Sequence, residues 1–159
     1  EGQFETVVNA DLINAFFQAG FGISTTLRED PEALRFVPSD LGDGMRWDNR
    51  LNWSTEDLPG TQDGDSIDLG GNWVYYGGTT TVNDLDFGAG GELYVTHGYL
   101  NVDGTLAGDG NGGTINIDGS GQFWTDGYTG TSQLDINVAG GRFASTGQLE
   151  GPVDRYLSD

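Results

Sequence analysis

The chain has 159 residues and a formal net charge of −19, because 25 Asp and Glu side chains stand against 6 arginines and no lysine. This charge repels phosphate, so we expect no nucleic-acid partner, and no apolar run is long enough to predict membrane insertion. The absence of cysteine excludes disulfides and thiolate chemistry. The chain begins at Glu1 without a signal-peptide pattern, so we expect a mature form or an excised fragment.

The composition predicts a fold with many tight turns. The chain has 28 glycines and only 4 prolines, without the Gly-X-Y period of collagen. Aspartate, which favours turns, far outnumbers glutamate, which favours helices. Only 35% of the residues are hydrophobic, but 11% are aromatic, which is unlike a disordered chain. We therefore expect a folded protein with a narrow core.

Helix signals are confined to the N-terminal part of the chain. The stretch NADLINAFFQAG, residues 9–20, begins with a capping Asn, ends with Gly and carries an apolar stripe. The stretch DPEALRFV, residues 30–37, has Pro31 at the first helical position and predicts a second, shorter helix. We assign residues 1–45 to an N-terminal helical or irregular cap or linker, and residues 46–159 to the main domain.

From Ser66 onward the chain repeats a short unit. Each unit has an apolar-x-apolar strand, a Gly-rich turn and a second short strand, at intervals of about 15 to 20 residues. The units are SIDL-GGN-WVYY, DLDF-GAGG-ELYV, YLNV-DG-TLA, TINI-DGSG-QFWT and LDIN-VAGG-RFAS. Such short strands are not typical of a sandwich. They predict an all-β fold, a short parallel β-solenoid (right-handed β-helix) of about five rungs with an N-terminal helical cap.

Alternation along each strand assigns side chains to the inside of the predicted solenoid. The inward residues of the first strands are Ile67, Leu69, Leu85, Phe87, Leu100, Val102, Ile115 and Ile117. The inward residues of the second strands are Val74, Leu93, Leu106, Phe123 and Phe143. Trp47 and Trp53 are expected to plug the open end of the core, because an uncovered terminal coil exposes both apolar surface and a strand edge.

Acidic and amide side chains form a predicted outward column. Equivalent positions, about 4.8 Å apart on stacked rungs, are occupied by Asp68, Asp86, Asn101, Asn116 and either Asp135 or Asn137. The column is either a solvated ladder or a chelating strip, since adjacent carboxylates repel unless a cation lies between them.

Calcium is the cation that the acidic turns would suit. The stretch TQDGDSID offers carboxylate and carbonyl oxygens on a flexible turn, although it matches neither an EF-hand loop nor a tandem calcium-binding nonapeptide. The alternative is a solvated acidic loop. The candidate ligands are Asp63, Asp65, Asp68 and Asp86.

A second predicted outward column is aromatic. It runs through Tyr75, Tyr94 and Trp124, with Arg142 beside it. Flat aromatic faces suit pyranose rings, and neighbouring polar side chains can bind the hydroxyl groups. The column is therefore a candidate surface for a glycan or a protein partner. Two alternatives stay open: the N-terminal helix covers the column, or the aromatic rings are exposed without a role.

The segment MRWDNRLNWSTEDLPGTQDGDSIDL, followed by the Gly-rich rungs, resembles the repeats of bacterial autotransporter passengers and similar adhesins with a parallel β-helix. The resemblance covers about residues 45–151. It implies a secreted, surface-displayed or fibre-like protein, located outside the cell or on a virion surface. It implies no catalytic residue, because the class shares none, and the N-terminal helical segment departs from its pattern.

Few residues support catalysis. The only histidine, His97, lies in a predicted turn, and the motifs of serine hydrolases and zinc proteases are absent. We predict a non-enzymatic structural or adhesive module of an extracellular assembly: an adhesin, a self-associating fibre subunit or a viral appendage. The alternatives are a carbohydrate-binding module, on its own or within a polysaccharide-degrading enzyme, and a secreted domain stabilised by calcium.

Overall fold

The computed structural model describes residues 33–61, 64–108 and 110–158. The helix predicted over residues 9–20 lies outside these ranges. The described residues form an all-β structure with a single 3-10 turn at Arg50–Asn52. The strands are β1 Leu34–Arg35, β2 Ser66–Asp68, β3 Trp73–Val82, β4 Asp84–Asp86, β5 Gly91–Val102, β6 Leu106–Ala107, β7 Gly113–Asp118, β8 Gln122–Thr125, β9 Leu134–Ala139, β10 Arg142–Ser145 and β11 Val153–Ser158.

All pairs of these strands are parallel and build three faces of a coil. Face A consists of β1, β2, β4 and β6, in that order. The N-terminal half of β5 pairs with β7 on face B, which continues through β9 to β11. The C-terminal half of β5 pairs with β8 on face C, which continues to β10. β3 pairs with both halves of β5, so these two long strands cross from face B to face C.

The crossing point is an irregularity in the pairing of β3 with β5. The register shifts between Tyr76 and Gly77, and Gly77 pairs with His97 instead of with the residue after Val95. Gly98 then has a φ of +72°, and a Cβ at this position would collide with the carbonyl oxygen of Gly78. Glycine is required here because an L side chain would be strained and would also displace the neighbouring backbone.

One turn of the solenoid therefore contains three strands, one on each face, and the described residues form about five turns. The predicted unit of two strands was wrong. The segment Tyr99–Val102 was assigned to the first strand of a new rung, but it is the third strand of its coil and lies beside β8. The error arose because strands on all three faces share the same apolar-x-apolar pattern. The parallel solenoid itself is confirmed, whereas its right-handed sense stays a prediction.

The core is the narrow column that the alternation pattern predicts. Each predicted inward side chain is buried except Phe143, which is half-buried and packs against the same core. Trp47 and Trp53 are also buried and contact each other edge to face at 5.1 Å. Their neighbours are Phe36 and Tyr76, so an aromatic cluster fills the first described turn. A core confined to this narrow column explains how a chain with 35% hydrophobic residues folds.

The short helix predicted over residues 30–37 is wrong in its described part. Leu34 and Arg35 form β1, paired with Ile67 and Asp68, and Phe36 bridges to Trp53. Leu34 and Phe36 alternate with Arg35, so period 2 places both apolar side chains in the core. Burial and parallel pairing outweigh local helix propensity. Strand pairing thus begins before residue 46, where the sequence placed the start of the main domain.

Candidate functional site

Asp68 and Asp86 are directly opposite each other on face A, as the sequence predicted. Each carboxylate accepts a hydrogen bond from the backbone N–H two residues later, at 2.7 Å from Gly70 and 2.8 Å from Gly88. Asp68 also forms an ion pair with Arg35, with 2.7 Å between Nε and Oδ2. The two aspartates therefore shape the corner from face A to face B, and Arg35 supplies a positive charge beside them.

Of the other two predicted calcium ligands, only Asp65 lies among the described residues. Asp65 is buried, with 2% of its surface exposed, and it accepts a hydrogen bond of 2.9 Å from the Gly60 N–H. Asp63 lies outside the described residues. Among the residues that the structure describes, no three His, Cys, Asp or Glu side chains are grouped as a metal site would require. Calcium binding stays a prediction.

Tyr75 and Tyr94 lie on face B and form a stack, with their ring centroids 4.8 Å apart and an interplanar angle of 19°. The Tyr94 hydroxyl donates a hydrogen bond of 2.6 Å to Glu92. This hydrogen bond, with a contribution from burial, raises the pKa of Tyr94 to about 12. Each tyrosine thus covers one ring face of the other, and that face is not available to a ligand.

Trp124 does not continue this column. In the described structure the residue opposite Tyr94 on the next turn is Asn116, whose side chain accepts a hydrogen bond from Asn137. Trp124 lies on face C, opposite Asn101. The single aromatic column predicted from the sequence was therefore wrong, as was the column that joined Asn101 to Asn116. The reason is that each coil has three strands and not two, so β8 lies on face C and not on face B beside Tyr94.

A cleft lies on face C between β5 and β8. It has a volume of about 290 Å³ and is lined by four side chains on two neighbouring strands. Tyr99 is opposite Gln122, and Asn101 is opposite Trp124. The two aromatic residues are therefore diagonal to each other across the two strands, and so are the two amides. Arg142 lies outside the lining, and its guanidinium carbon is 4.8 Å from the centroid of the Trp124 ring. Arg142 therefore supports the indole through a cation–π contact.

Face C differs from the other two faces in charge. Acidic side chains extend outward from the strands of face A at Asp68, Asp84 and Asp86, and from those of face B at Glu92, Asp135 and Asp154. The strands of face C carry no carboxylate at all. Their outward residues are Thr79, Thr81, Tyr99, Asn101, Gln122, Trp124, Arg142 and Ala144. A surface whose strands carry no carboxylate therefore lies on an otherwise acidic protein.

The sequence analysis missed Tyr99 and Gln122 as site residues. Tyr99 and Gln122 were each treated as the first residue of a strand, and neither was assigned to an outward column. The signal was present in the spacing: Tyr99-x-Asn101, Gln122-x-Trp124 and Arg142-x-Ala144 recur at intervals of about 20 residues. Intervals of 23 residues from Tyr99 to Gln122 and 20 residues from Gln122 to Arg142, instead of the 15 residues between Leu85, Leu100 and Ile115, place all three pairs on one face.

No protein-family model, curated protein or solved structure matches the chain. The resemblance to autotransporter passengers and adhesins is therefore supported only at the level of the parallel solenoid. No helix of the described residues has the length and apolar character needed to cross a bilayer.

Proposed function

We propose that the protein is a non-enzymatic adhesive module of an extracellular assembly, and that face C is its adhesive surface. The observation that carries the proposal is the acid-free strip of aromatic, amide and hydroxyl side chains on a chain with a net charge of −19. Flat faces with amphipathic rings bind surfaces well, because the rings bury a large area and lose little conformational entropy. Neighbouring amides supply direction and specificity.

The arrangement of the described side chains favours binding over catalysis. His97 contacts the Thr96 hydroxyl at 3.1 Å, at an exposed corner and with no carboxylate among its described hydrogen-bond partners. A nucleophile with a base and an orienting acid is therefore not assembled there. The residues lining the face C cleft carry no titratable acid or base of the kind that general catalysis uses.

The proposal is tested by retention of the labelled chain on surfaces coated with polysaccharides or with extracellular proteins. The double variant Tyr99→Ser with Trp124→Ser removes the exposed ring of Tyr99 and the half-buried ring of Trp124, and it leaves the inward Leu100 and Phe123 in place. We expect the wild type to be retained on at least one surface, and the variant to lose about tenfold or more in retention, since buried aromatic anchors dominate binding.

The matched control is the double variant Trp73→Ser with Tyr75→Ser on face B, where the two residues are 61% and 41% exposed. Its retention is expected to stay within about twofold of the wild type. Equal losses in the two variants, or no retention of the wild type on any surface, would contradict the proposal. Self-association and a calcium requirement stay predictions.

A further inference from the structure

The cleft on face C has the features of a site for a small, uncharged, hydroxyl-bearing ligand. Its four lining side chains are Tyr99, Asn101, Gln122 and Trp124, none of which carries a charge at neutral pH. Acidic residues lie on the strands of the other two faces, so a cationic ligand would find stronger sites elsewhere. An anionic ligand would be repelled by the net charge of −19.

The aromatic rings of the cleft have faces free for a ligand, unlike those of face B. Tyr75 and Tyr94 stack on each other, whereas Tyr99 has no ring partner among the described residues. Arg142 stacks on Trp124 but does not line the cleft, so the indole still borders the open volume. Tyr99 is 39% exposed, and it can pack against a ligand without any rearrangement of the core.

The amides of the cleft supply hydrogen bonds in both directions. Gln122 is half-buried, and its side chain makes no hydrogen bond within the described structure, which leaves one acceptor and two donors for a ligand. Asn101 donates to Asp103, which fixes its amide and leaves its carbonyl oxygen as an acceptor. Vicinal hydroxyl groups both donate and accept, so they match this pair.

We propose that this cleft binds an uncharged pyranoside, stacked on Tyr99 and Trp124 and hydrogen-bonded through its hydroxyls to Gln122 and Asn101. The inference rests on the proposed adhesive function and assigns the ligand class of the same face. The cleft volume of about 290 Å³ is at the lower end of small-molecule sites, which suits one or two sugar rings of a longer chain. A ligand of that size binds with a Kd on the order of 1 mM, and adhesion then depends on multivalency.

The test is titration of the full chain with neutral oligosaccharides selected from a glycan array, followed by NMR of the tryptophan indole N–H groups. We expect neutral glycans to bind and to shift one indole N–H resonance. This resonance is expected to be missing from the spectrum of the Trp124→Phe variant. Trp124→Ala and Tyr99→Ala are each expected to raise Kd about tenfold or more, and Gln122→Ala severalfold. Tyr75→Ala on face B serves as the control and is expected to change Kd by less than about twofold.

Uronate-containing and sulfated oligosaccharides provide the second arm, and they are expected to bind at least severalfold more weakly than neutral ones. The inference is overturned if no neutral glycan binds, if binding survives the combined loss of Tyr99 and Trp124, or if acidic glycans bind preferentially. A third outcome is that the chain is retained on a protein-coated surface through face C but binds no glycan. This result would overturn the present inference and leave the adhesive function in place. Thermal melting of each variant confirms that it is folded.

Discussion

At the residue scale, aspartate carboxylates accept many of the side-chain hydrogen bonds of the described solenoid. Asp84 is the clearest example, because its carboxylate accepts from the Ser66 hydroxyl, the Asn83 amide and the Thr105 N–H. Burial alone would raise the pKa of Asp84, but the hydrogen bonds outweigh this effect and hold it below the ordinary value of 3.8. The ionised form is therefore bound more favourably in the folded state than in the unfolded state.

This arrangement predicts a specific loss of stability in acid. A carboxyl with a lowered pKa contributes stability above its unfolded pKa and loses it as the pH falls through its folded pKa. Asp84→Asn is expected to lower the unfolding free energy by about 1–2 kcal/mol at pH 7. The variant should lose less stability than the wild type between pH 7 and pH 3, measured by urea unfolding. Asp57→Asn, at an exposed position, is the control. Parallel acid profiles for Asp84→Asn and wild type would refute this role.

At the element scale, the crossing of β3 and β5 from face B to face C determines where the site lies. Gly98 combines a φ of +72° with close contact to the backbone of Gly78, and Gly44 has a similar φ of +69° with only Pro38 nearby, at 3.7 Å. A comparison of substitutions at the two glycines therefore distinguishes the energetic cost of a positive φ from the energetic cost of a steric collision.

Gly98→Ala is therefore expected to destabilise the fold more than Gly44→Ala does. The strain of a positive φ costs about 1 kcal/mol for a non-glycine residue. The collision at Gly98 adds to it, so we expect a loss of about 2–3 kcal/mol or more, measured by chemical unfolding. Equal losses in the two variants would mean that the crossing tolerates a side chain, contrary to the described geometry.

The elements also explain which parts of the fold the sequence could predict. Period-2 alternation gave the inward residues correctly, from Ile67 to Phe123, because each strand buries one side regardless of its partners. Alternation contains no information about which strands are neighbours. Trp124 was consequently placed beside Tyr94 instead of Asn101, and the cleft, which depends on that register, could not be predicted. The helix expected at residues 30–37 is wrong in its described part, because the pairing of β1 with β2 is a long-range effect that local propensity does not contain.

At the scale of the whole molecule, the described solenoid carries its strand carboxylates on faces A and B, away from the proposed binding surface on face C. Acidic side chains lie on the strands of faces A and B and in the turns, where they repel one another and other anions. Face C lacks carboxylates on its strands and carries the cleft of Tyr99, Asn101, Gln122 and Trp124. Repulsion by the acidic faces opposes unspecific contacts with anionic surfaces, so the charge pattern favours neutral partners on a single face.

The coil of three strands is the claim on which this account depends, and cross-linking tests it directly. The chain has no cysteine, so introduced pairs are unambiguous. Opposite residues on neighbouring strands lie about 5 Å apart, within the Cα range of disulfides. We predict that Asn101→Cys with Trp124→Cys oxidises to a disulfide, whereas Asn101→Cys with Asn116→Cys keeps both thiols free. Thiol quantification on the folded monomer distinguishes them. A disulfide in the second pair and free thiols in the first would contradict the three-strand coil and the cleft.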